Sequence, residues 1–170
     1  MYALMFNVDH VAALIIDSLE RDFFLCYNFI GDNMNYKVIY DIKPETLFYL
    51  RKIIGWKEIN IKQLKVALEN TMCKVSIVND NDIIACGRLV GDYSCKGVLS
   101  DILVNPKYQK QGFGKIIVTE IFKMVKDKMN QGDKFQIEAT PTYGNREFYV
   151  KCGMKYKPEN QDGVYIWFEK

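Results

Sequence analysis

The chain has 170 residues, of which 49% are apolar, and its formal net charge is +2. This length suits one domain with a sizeable core, and the apolar content excludes a disordered or low-complexity protein. The charge is too small to indicate nucleic-acid binding, and no apolar run approaches the roughly 20 residues that span a bilayer. We therefore expect neither a nucleic acid nor a membrane as partner.

Cysteine and histidine are too sparse to indicate a metal centre. The chain has five cysteines, an odd number without a CxxC pair, and one histidine. Zinc sites draw their ligands mainly from these two residue types at close spacing. We therefore expect no metal, and free thiols in a reducing compartment. The N-terminus lacks the basic start and small-residue cleavage site of a secretory signal, so we expect a cytoplasmic protein.

The first 33 residues differ in charge from the rest of the chain. They hold five acidic residues and one arginine, which leaves a net charge of +6 for residues 34–170. The apolar stretch over 10–30 is compatible with a helix, although its pattern is not cleanly amphipathic, and the turn-prone "GDN" precedes Met34. We predict an extension of uncertain role at 1–33 and one domain at 34–170, with Met34 as an alternative start of translation.

The first part of the predicted domain contains one strand and two helices. "YKVIY" reads as a short strand. Pro44 suits the first turn of a helix that runs to about Ile54, with Gly55 as the residue that stops it. In "INIKQLKVALEN", apolar residues at Ile61, Leu64 and Leu68 have helical spacing.

The remaining elements alternate between strands and helices. "CKVSIVND" and "DIIACGRLV" predict a hairpin, and "GVLSDILV" predicts a third strand that ends before Asn105-Pro106. A helix follows, then the strand "KFQIEA", the short helix "NREFYVKC" and the strand "GVYIWFE". The order β-α-α-β-β-β-α-β-α-β predicts an α/β fold with a mixed sheet flanked by helices.

A glycine cluster lies between the third strand of this series and the long helix. Its residues are Gln109, Lys110, Gln111, Gly112, Phe113, Gly114 and Lys115. A helix N-terminus exposes unpaired amides with partial positive charge, and glycine lets a phosphate approach them closely. The cluster is neither a Walker A loop nor a dinucleotide fingerprint, which would need glycine in place of Ile117. It predicts a phosphate site, and the alternative is a plain glycine-rich start of a helix.

The segment "DILVNPKYQKQGFGK" resembles the acetyl-CoA-binding segment of the GNAT acyltransferase superfamily, whose signature is [Q/R]-x-x-G-x-[G/A]. The later "FYVKCGM" is similar to the family's "FYxKxGF", with Met154 where phenylalanine is usual. The resemblance covers about 34–170. It implies a GNAT-like fold, in which a central, mostly antiparallel sheet with one splayed parallel strand pair is flanked by helices.

The resemblance also implies acetyl-CoA as cosubstrate and a place for it. The pantetheine arm would pair with backbone groups of Ile102, Leu103 and Val104, and the diphosphate would lie on the amides of residues 110–115. We expect valine at Gly112 or Gly114 to weaken this binding without disturbing the fold. Some relatives contact the cofactor through an asparagine whose usual spacing falls here on Thr142, whereas the nearby asparagine is Asn145.

For the chemistry, the resemblance implies N-acetyltransfer by direct attack of an amine in a ternary complex. Tyr149 matches the family tyrosine that protonates the departing thiolate, and Glu138 matches the general base of some relatives. Asp101 is the rival base from the neighbouring strand, because a strand-borne acid beside a cleft is costly unless it is paired. The alternatives are a core role for Tyr149 and ion-paired carboxylates for the two acids.

The acceptor is less well defined by the sequence. The segments that would hold it supply Arg51, Trp56, Lys57, Glu159 and Asp162, whose mixed charges leave a small-molecule amine or a protein amino group open. A homodimer is also open. Two other functions remain as alternatives: a catalytically silent acyl-CoA-binding or sensing module, and a domain for another phosphate ligand.

Overall fold

A computed structural model describes residues 26–30, 34–80, 82–142, 144–158 and 161–170. These residues form one mixed sheet with helices on both faces. The strands of the sheet are β1 (Cys26–Ile30), β2 (Met34–Ile39), β3 (Cys73–Val78), β4 (Ile83–Gly91), β5 (Lys96–Val104), β6 (Lys134–Ala139), β7 (Lys155–Tyr156) and β8 (Val164–Glu169). Their order across the sheet is β1-β2-β3-β4-β5-β6-β8-β7.

Four helices are described. They are α1 (Pro44–Ile53), α2 (Ile61–Glu69), α3 (Phe113–Lys128) and α4 (Arg146–Lys151). Proline opens α1 in the first turn, where its missing amide costs no hydrogen bond. Asn60 caps α2 by accepting a hydrogen bond from the amide of Lys62. No helix in the described part of the chain is long and apolar enough to cross a membrane.

Each face of the sheet has its own apolar core. Helix α3 buries Phe113, Ile117, Ile121 and Val125 at a spacing of four residues against one face. Helices α1 and α2 cover the other face over β4 and β5, with Leu47, Leu50, Leu64 and Leu68 packed against Ile83 and Leu103. Buried side chains on both sides fix the register of the central strands.

The strands β5 and β6 are parallel and then diverge. Their pairing runs from Lys96↔Gln136 to Val98↔Glu138, whereas β5 continues for six more residues to Val104. All other described pairs in the sheet are antiparallel. A gap therefore opens between β5 and β6 directly before the glycine cluster and α3.

A β-bulge lies in the diverging part of β5. Cys86 pairs with Leu103 and Arg88 pairs with Ser100, so two residues of β5 face the single residue between them on β4. Asp101 has a φ of 48°, in the left-handed region. A bulge bends its strand and changes where side chains point, and this one lies in the part of β5 beyond its last pair with β6, Val98↔Glu138.

The fold prediction is confirmed: the structure is a mixed α/β sheet, mostly antiparallel, with one splayed parallel pair and flanking helices. The strands β1 and β7 were not predicted. The helix that the sequence suggested over 10–30 is wrong for Cys26–Ile30. These residues form a strand that pairs with Met34–Val38 along its whole length. The rest of that stretch lies outside the described residues, and the domain boundary at 33/34 stays a prediction.

Candidate active site

The glycine cluster forms a tight loop whose backbone enters the left-handed region twice. Lys110 has a φ of 62°, and Gly112, the N-cap of α3, has a φ of 94°. A Cβ on Gly112 would meet no atom within 4 Å. Glycine is therefore favoured at residue 112 by backbone conformation, since L side chains rarely adopt this φ.

Most amides of this loop are open to a ligand. The amide of Lys115 donates to the Gly112 carbonyl at 2.9 Å, which closes the first turn of α3. Within the described part of the chain, no recorded hydrogen bond is donated by five amides of the loop, those of Lys110, Gln111, Gly112, Phe113 and Gly114. The predicted set of amides is therefore available except for that of Lys115. Open amides at a helix N-terminus attract a phosphate.

Gly114 has a different role from Gly112. A Cβ built on Gly114 would lie 3.2 Å from two ring carbons of Phe148 on α4 and 3.5 Å from a methyl of Val104. The absence of a side chain therefore lets α3 and α4 pack closely. This contact changes the expectation for valine at residue 114: the substitution disturbs packing as well as the ligand site.

The other side chains of the cluster support the loop. The side-chain amide (Nε2) of Gln109 donates to the Val104 carbonyl at 3.1 Å, and the side-chain amide (Nε2) of Gln111 donates to the Lys107 carbonyl at 3.2 Å. Phe113 is buried and makes edge-to-face contacts with Tyr36 and Tyr108. These contacts hold the loop against the end of β5, so the glutamines and Phe113 shape the loop while its backbone offers the donors.

The end of β5 presents backbone groups to the gap. The Asn105 amide donates to the Ile84 carbonyl of β4 at 2.8 Å. The N–H and C=O groups of successive residues point alternately to the two edges of a strand. The N–H and C=O groups of Leu103, two residues before Asn105, therefore also face β4, whereas those of Ile102 and Val104 face the gap. Of the three predicted partners, Ile102 and Val104 turn backbone groups toward the gap, and Leu103 contributes a buried side chain. The Val104 carbonyl already accepts a hydrogen bond from the Gln109 side chain, so its amide is the group left for a ligand.

Tyr149 lies on α4, one residue after the phenylalanine that contacts Gly114. It is half-buried, and its ring packs edge-to-face on Phe148 with centroids 4.9 Å apart. Burial, and less strongly the neighbouring Cys152 thiol, raises the pKa of Tyr149 to about 12. Among the described residues, none forms a hydrogen bond with its hydroxyl. The phenol is therefore protonated at neutral pH and free to donate.

Glu138 is the last residue of β6 paired with β5, and it carries two ion pairs. Lys157 and Lys96 each place Nζ 2.8 Å from one of its carboxylate oxygens. The hydrogen bonds from Lys157 and then Lys96 lower the pKa of Glu138. The carboxylate is therefore ionised at neutral pH but is a weak base, because its lysine partners stabilise the charged form.

Asp101, the rival base, is buried between two arginines. Nη1 of Arg51 lies 2.5 Å from Oδ1, and Nε of Arg88 lies 2.6 Å from Oδ2. The bulge and the left-handed φ aim its carboxylate at the face covered by α1, where Arg51 lies. Since both oxygens already accept a guanidinium hydrogen bond, the geometry favours a charge-pairing role for Asp101.

Comparison with known proteins agrees with this geometry. The model of the acetyltransferase (GNAT) family matches residues 33–154. The chain belongs to the GNAT family. It is 22% identical over 148 residues to an uncharacterised N-acetyltransferase, ycf52, of Porphyra purpurea, with 82% of each chain covered. It is 24% identical over 168 residues to the histone acetyltransferase TAP1 of Glycine max. That match covers 90% of this chain and 71% of TAP1.

Solved structures show the same GNAT fold. The Staphylococcus aureus protein SA2161, itself of unknown function, superposes with a TM-score of 0.66 at 26% identity. The match covers 77% of this chain and 98% of that one. The family explains why a splayed strand pair and an open helix N-terminus lie side by side here.

Thr142 and Asn145, the two positions considered for the asparagine that contacts the cofactor in some GNAT relatives, form hydrogen bonds with each other. The Asn145 side-chain amide donates to the Thr142 hydroxyl at 2.7 Å, and the Asn145 amide donates to the Thr142 carbonyl at 3.0 Å. Both lie in the turn before α4. Asn145 therefore stabilises this turn, and a direct contact with the cofactor stays a prediction.

Sequence reasoning missed the basic partners of the two candidate acids, which are Arg88, Lys96 and Lys157. Strand pairing brings Arg88 and Lys96 to the site, and Lys157 reaches it from the position directly after β7. No local motif marks any of the three. Of the residues predicted near the acceptor, Glu159 lies outside the described residues. Asp162 forms an ion pair with Arg146 at 2.5 Å on the surface. No group of three or more potential metal ligands occurs in the described ranges.

Proposed function

We propose that the chain is an N-acetyltransferase that moves an acetyl group from acetyl-CoA to a primary amine by direct attack. The observation that carries this proposal is the set of open amides at the start of α3, next to the unpaired edge of β5. Family membership supports acetyl transfer in general. The open amides and the strand edge together match a ligand with a diphosphate and an extended amide-containing arm.

The residues that would hold acetyl-CoA have distinct tasks. The amides of residues 110–114 would bind the diphosphate, each through a charge-assisted hydrogen bond of about 1.5–3 kcal/mol. Ile102 and Val104 would pair with the arm as a neighbouring strand does. The acetyl group would then lie in the gap beyond Val98 and Glu138, within the reach of α4.

The transfer makes one bond and breaks one. The neutral amine attacks the thioester carbonyl, the new C–N bond forms, and the C–S bond breaks with its electron pair on sulfur. Tyr149 would give its proton to this thiolate, and the nitrogen would lose a proton to Glu138, directly or through water. The lowered pKa of Glu138 suits the transfer of a proton from the cationic intermediate, which is strongly acidic, better than from a free ammonium.

The acceptor proposed is a small-molecule amine or an amino group of a protein. The relative named a histone acetyltransferase supports the protein option, whereas the half-buried arginines beside the gap support a small molecule. The alternative function is a catalytically silent acyl-CoA-binding module. A cytoplasmic location, a homodimer, and the exclusion of nucleic acid and membrane as partners stay predictions.

Two measurements test the proposal together. Calorimetric titration with acetyl-CoA, CoA, ATP and NAD should give binding of acetyl-CoA and CoA only. A panel of amines incubated with acetyl-CoA should release free CoA thiol with at least one acceptor, beyond the hydrolysis seen without amine. Binding without transfer to any amine would support the silent module, and preference for ATP or NAD would contradict both.

Replacing Tyr149 with phenylalanine should lower kcat by about 10²-fold or more while the Kd for acetyl-CoA changes less than about twofold. The variant loses a proton donor but keeps the ring that packs on Phe148. Steady-state kinetics and calorimetry separate the two quantities. Tyr156→Phe, at an exposed tyrosine of β7, is the control and should leave kcat unchanged. An equal kcat for Tyr149→Phe and the wild type would remove the phenol from the mechanism.

The pH dependence of kcat/KM should follow the acceptor amine. The lowered pKa of Glu138 keeps it ionised, and the raised pKa of Tyr149, about 12, keeps it protonated between about pH 5 and 10. The amine must lose its proton, so kcat/KM should rise about tenfold per pH unit up to the amine's own pKa. That pKa is about 8 for an α-amine and about 10.4 for a lysine side chain.

Diglycine and Nα-acetyllysine are suitable acceptors for this comparison, because each offers one amine of the required class. Their profiles should level off at different pH values. A shared midpoint for both acceptors would show that a protein group controls the rate and would contradict the prediction.

A further inference from the structure

The cluster of Arg51, Asp101 and Arg88 carries an uncompensated positive charge next to the gap. It joins two guanidinium groups to one carboxylate, and the side chains are only 13%, 5% and 16% exposed. Taking charge out of water is costly unless it is paired. The cluster is therefore electrostatically incomplete without a second anion.

Donors of both arginines remain unused within the described residues. Nε of Arg51 is buried and has no hydrogen-bond partner. Arg88 donates through Nε to Asp101 and through Nη1 to the Thr71 hydroxyl at 3.2 Å, and Nη2 has no acceptor in the described part of the chain. The indole ring of Trp56, which is 36% exposed, lies 5.1 Å from the Arg51 guanidinium carbon. The arginines are thus held in place while part of their hydrogen-bonding capacity stays free.

The strand register places the cluster of Arg51, Asp101 and Arg88 next to the gap between β5 and β6, where the proposed acceptor would bind. Arg88 faces Ser100 across β4 and β5, and opposed residues share a face of the sheet. Ser100 lies two residues, about 7 Å, beyond Val98, where pairing with β6 ends. The face is open there, since Val98 is 41% exposed. An amine that reaches the gap across this face passes the free edge of Arg88.

We propose that the acceptor carries an anionic group, a carboxylate or a phosphate, and that Arg88 and Arg51 bind this group. This inference rests on the proposed acetyltransferase function and names the substrate class of the same site. The anion completes the charge of the cluster, and the amine of the same molecule then extends toward the acetyl group. Guanidinium groups suit both anions because their planar donors match two oxygens at once.

Matched acceptor pairs test the inference. Lysine and cadaverine differ by a carboxylate, and phosphoethanolamine and ethanolamine differ by a phosphate. With acetyl-CoA and the full chain, kcat/KM should be at least about tenfold higher for the anionic member of one pair, mainly through a lower KM. The pair that shows the preference identifies the anion.

Arg88→Met should reduce this ratio to below about threefold, because it removes the free Nη2 donor of Arg88 and one positive charge of the cluster, while Arg51 still pairs with Asp101. The matched control is Lys74→Met, which removes one positive charge at the residue of β3 that pairs with Arg88. Lys74 forms a partly exposed ion pair with Asp41, and its loss should leave the ratio unchanged. Because the ratio is also measured in the wild type, the test holds even if Arg88→Met folds poorly.

The possible outcomes separate this inference from the proposed function. Transfer to cadaverine and ethanolamine, the members without an anionic group, at equal or higher efficiency in the wild type would overturn the anion subsite while leaving the acetyltransferase in place. A preference that persists in Arg88→Met would also overturn the subsite. Absence of thiol release with every amine would overturn the acetyltransferase and the subsite with it.

Discussion

Replacing Asp101 with asparagine should lower the free energy of unfolding by about 3–5 kcal/mol, as expected when one partner of a buried ion pair is removed. The substitution leaves Arg51 and Arg88 with no anion, in a cluster that is mostly shielded from water. Asparagine tolerates the left-handed φ of 48° at this residue, so the loss reports on charge and not on backbone strain. Urea unfolding followed by circular dichroism measures it.

The control for this substitution is an exposed ion pair on the same sheet. Glu169 is 65% exposed and lies 3.5 Å from Lys134, so Glu169→Gln should cost less than about 1 kcal/mol. A loss below about 1 kcal/mol for Asp101→Asn would contradict the pairing role. If kcat then fell sharply in a stably folded Asp101→Asn variant, the residue would return as the candidate base.

Replacing Gly114 with valine should weaken acetyl-CoA binding by at least about tenfold and lower the stability by about 1–3 kcal/mol. Even a single Cβ would lie 3.2 Å from the Phe148 ring, and the two methyl groups of valine need more room. The start of α3 and the start of α4 must then separate, which displaces both the open amides and Tyr149. Calorimetry with acetyl-CoA and thermal unfolding measure the two effects.

Gly112→Ala is the comparison that separates backbone strain from packing. Its Cβ has open space, so the cost is about 1 kcal/mol for the left-handed φ. Phe148 keeps its place in this variant. If Gly114→Val bound acetyl-CoA as tightly as the wild type, the loop at residues 110–115 would not be the diphosphate site.

Local sequence pattern predicted most of the helices and strands. The apolar spacing in α3 and the alternation in β6 depend on which face of an element is buried, and that information is repeated along several residues. The strand β6 matches its predicted range, and α1 ends one residue before its prediction. By contrast, β7 has two residues, too few to show any period. Cys26–Ile30 form a strand because β2 offers them an edge, and that contact is tertiary.

The candidate site shows the same division. The loop at residues 109–115 was recognisable because its glycines, amides and helix start are adjacent in the chain, so local chemistry determines what the loop can bind. Sequence reasoning could propose Glu138 and Asp101 as acids, but their pKa and availability depend on partners up to 50 residues away in the chain. Lys157 and Arg88 gave no signal, because a single basic residue on a strand or directly after one is common on any surface.

The sequence by itself determined the order of the described elements other than β1 and β7, the family and the open turn before α3, since each of these depends on neighbouring residues. The tertiary structure decided that Gly112 serves backbone conformation and Gly114 serves packing, and that Asp101 is a charge partner of two arginines. Electrostatic energies fall off with distance in space, not with separation along the chain. The net charge beside the gap, and with it the proposed choice of acceptor, could be assigned only once β4, β5 and α1 were placed together.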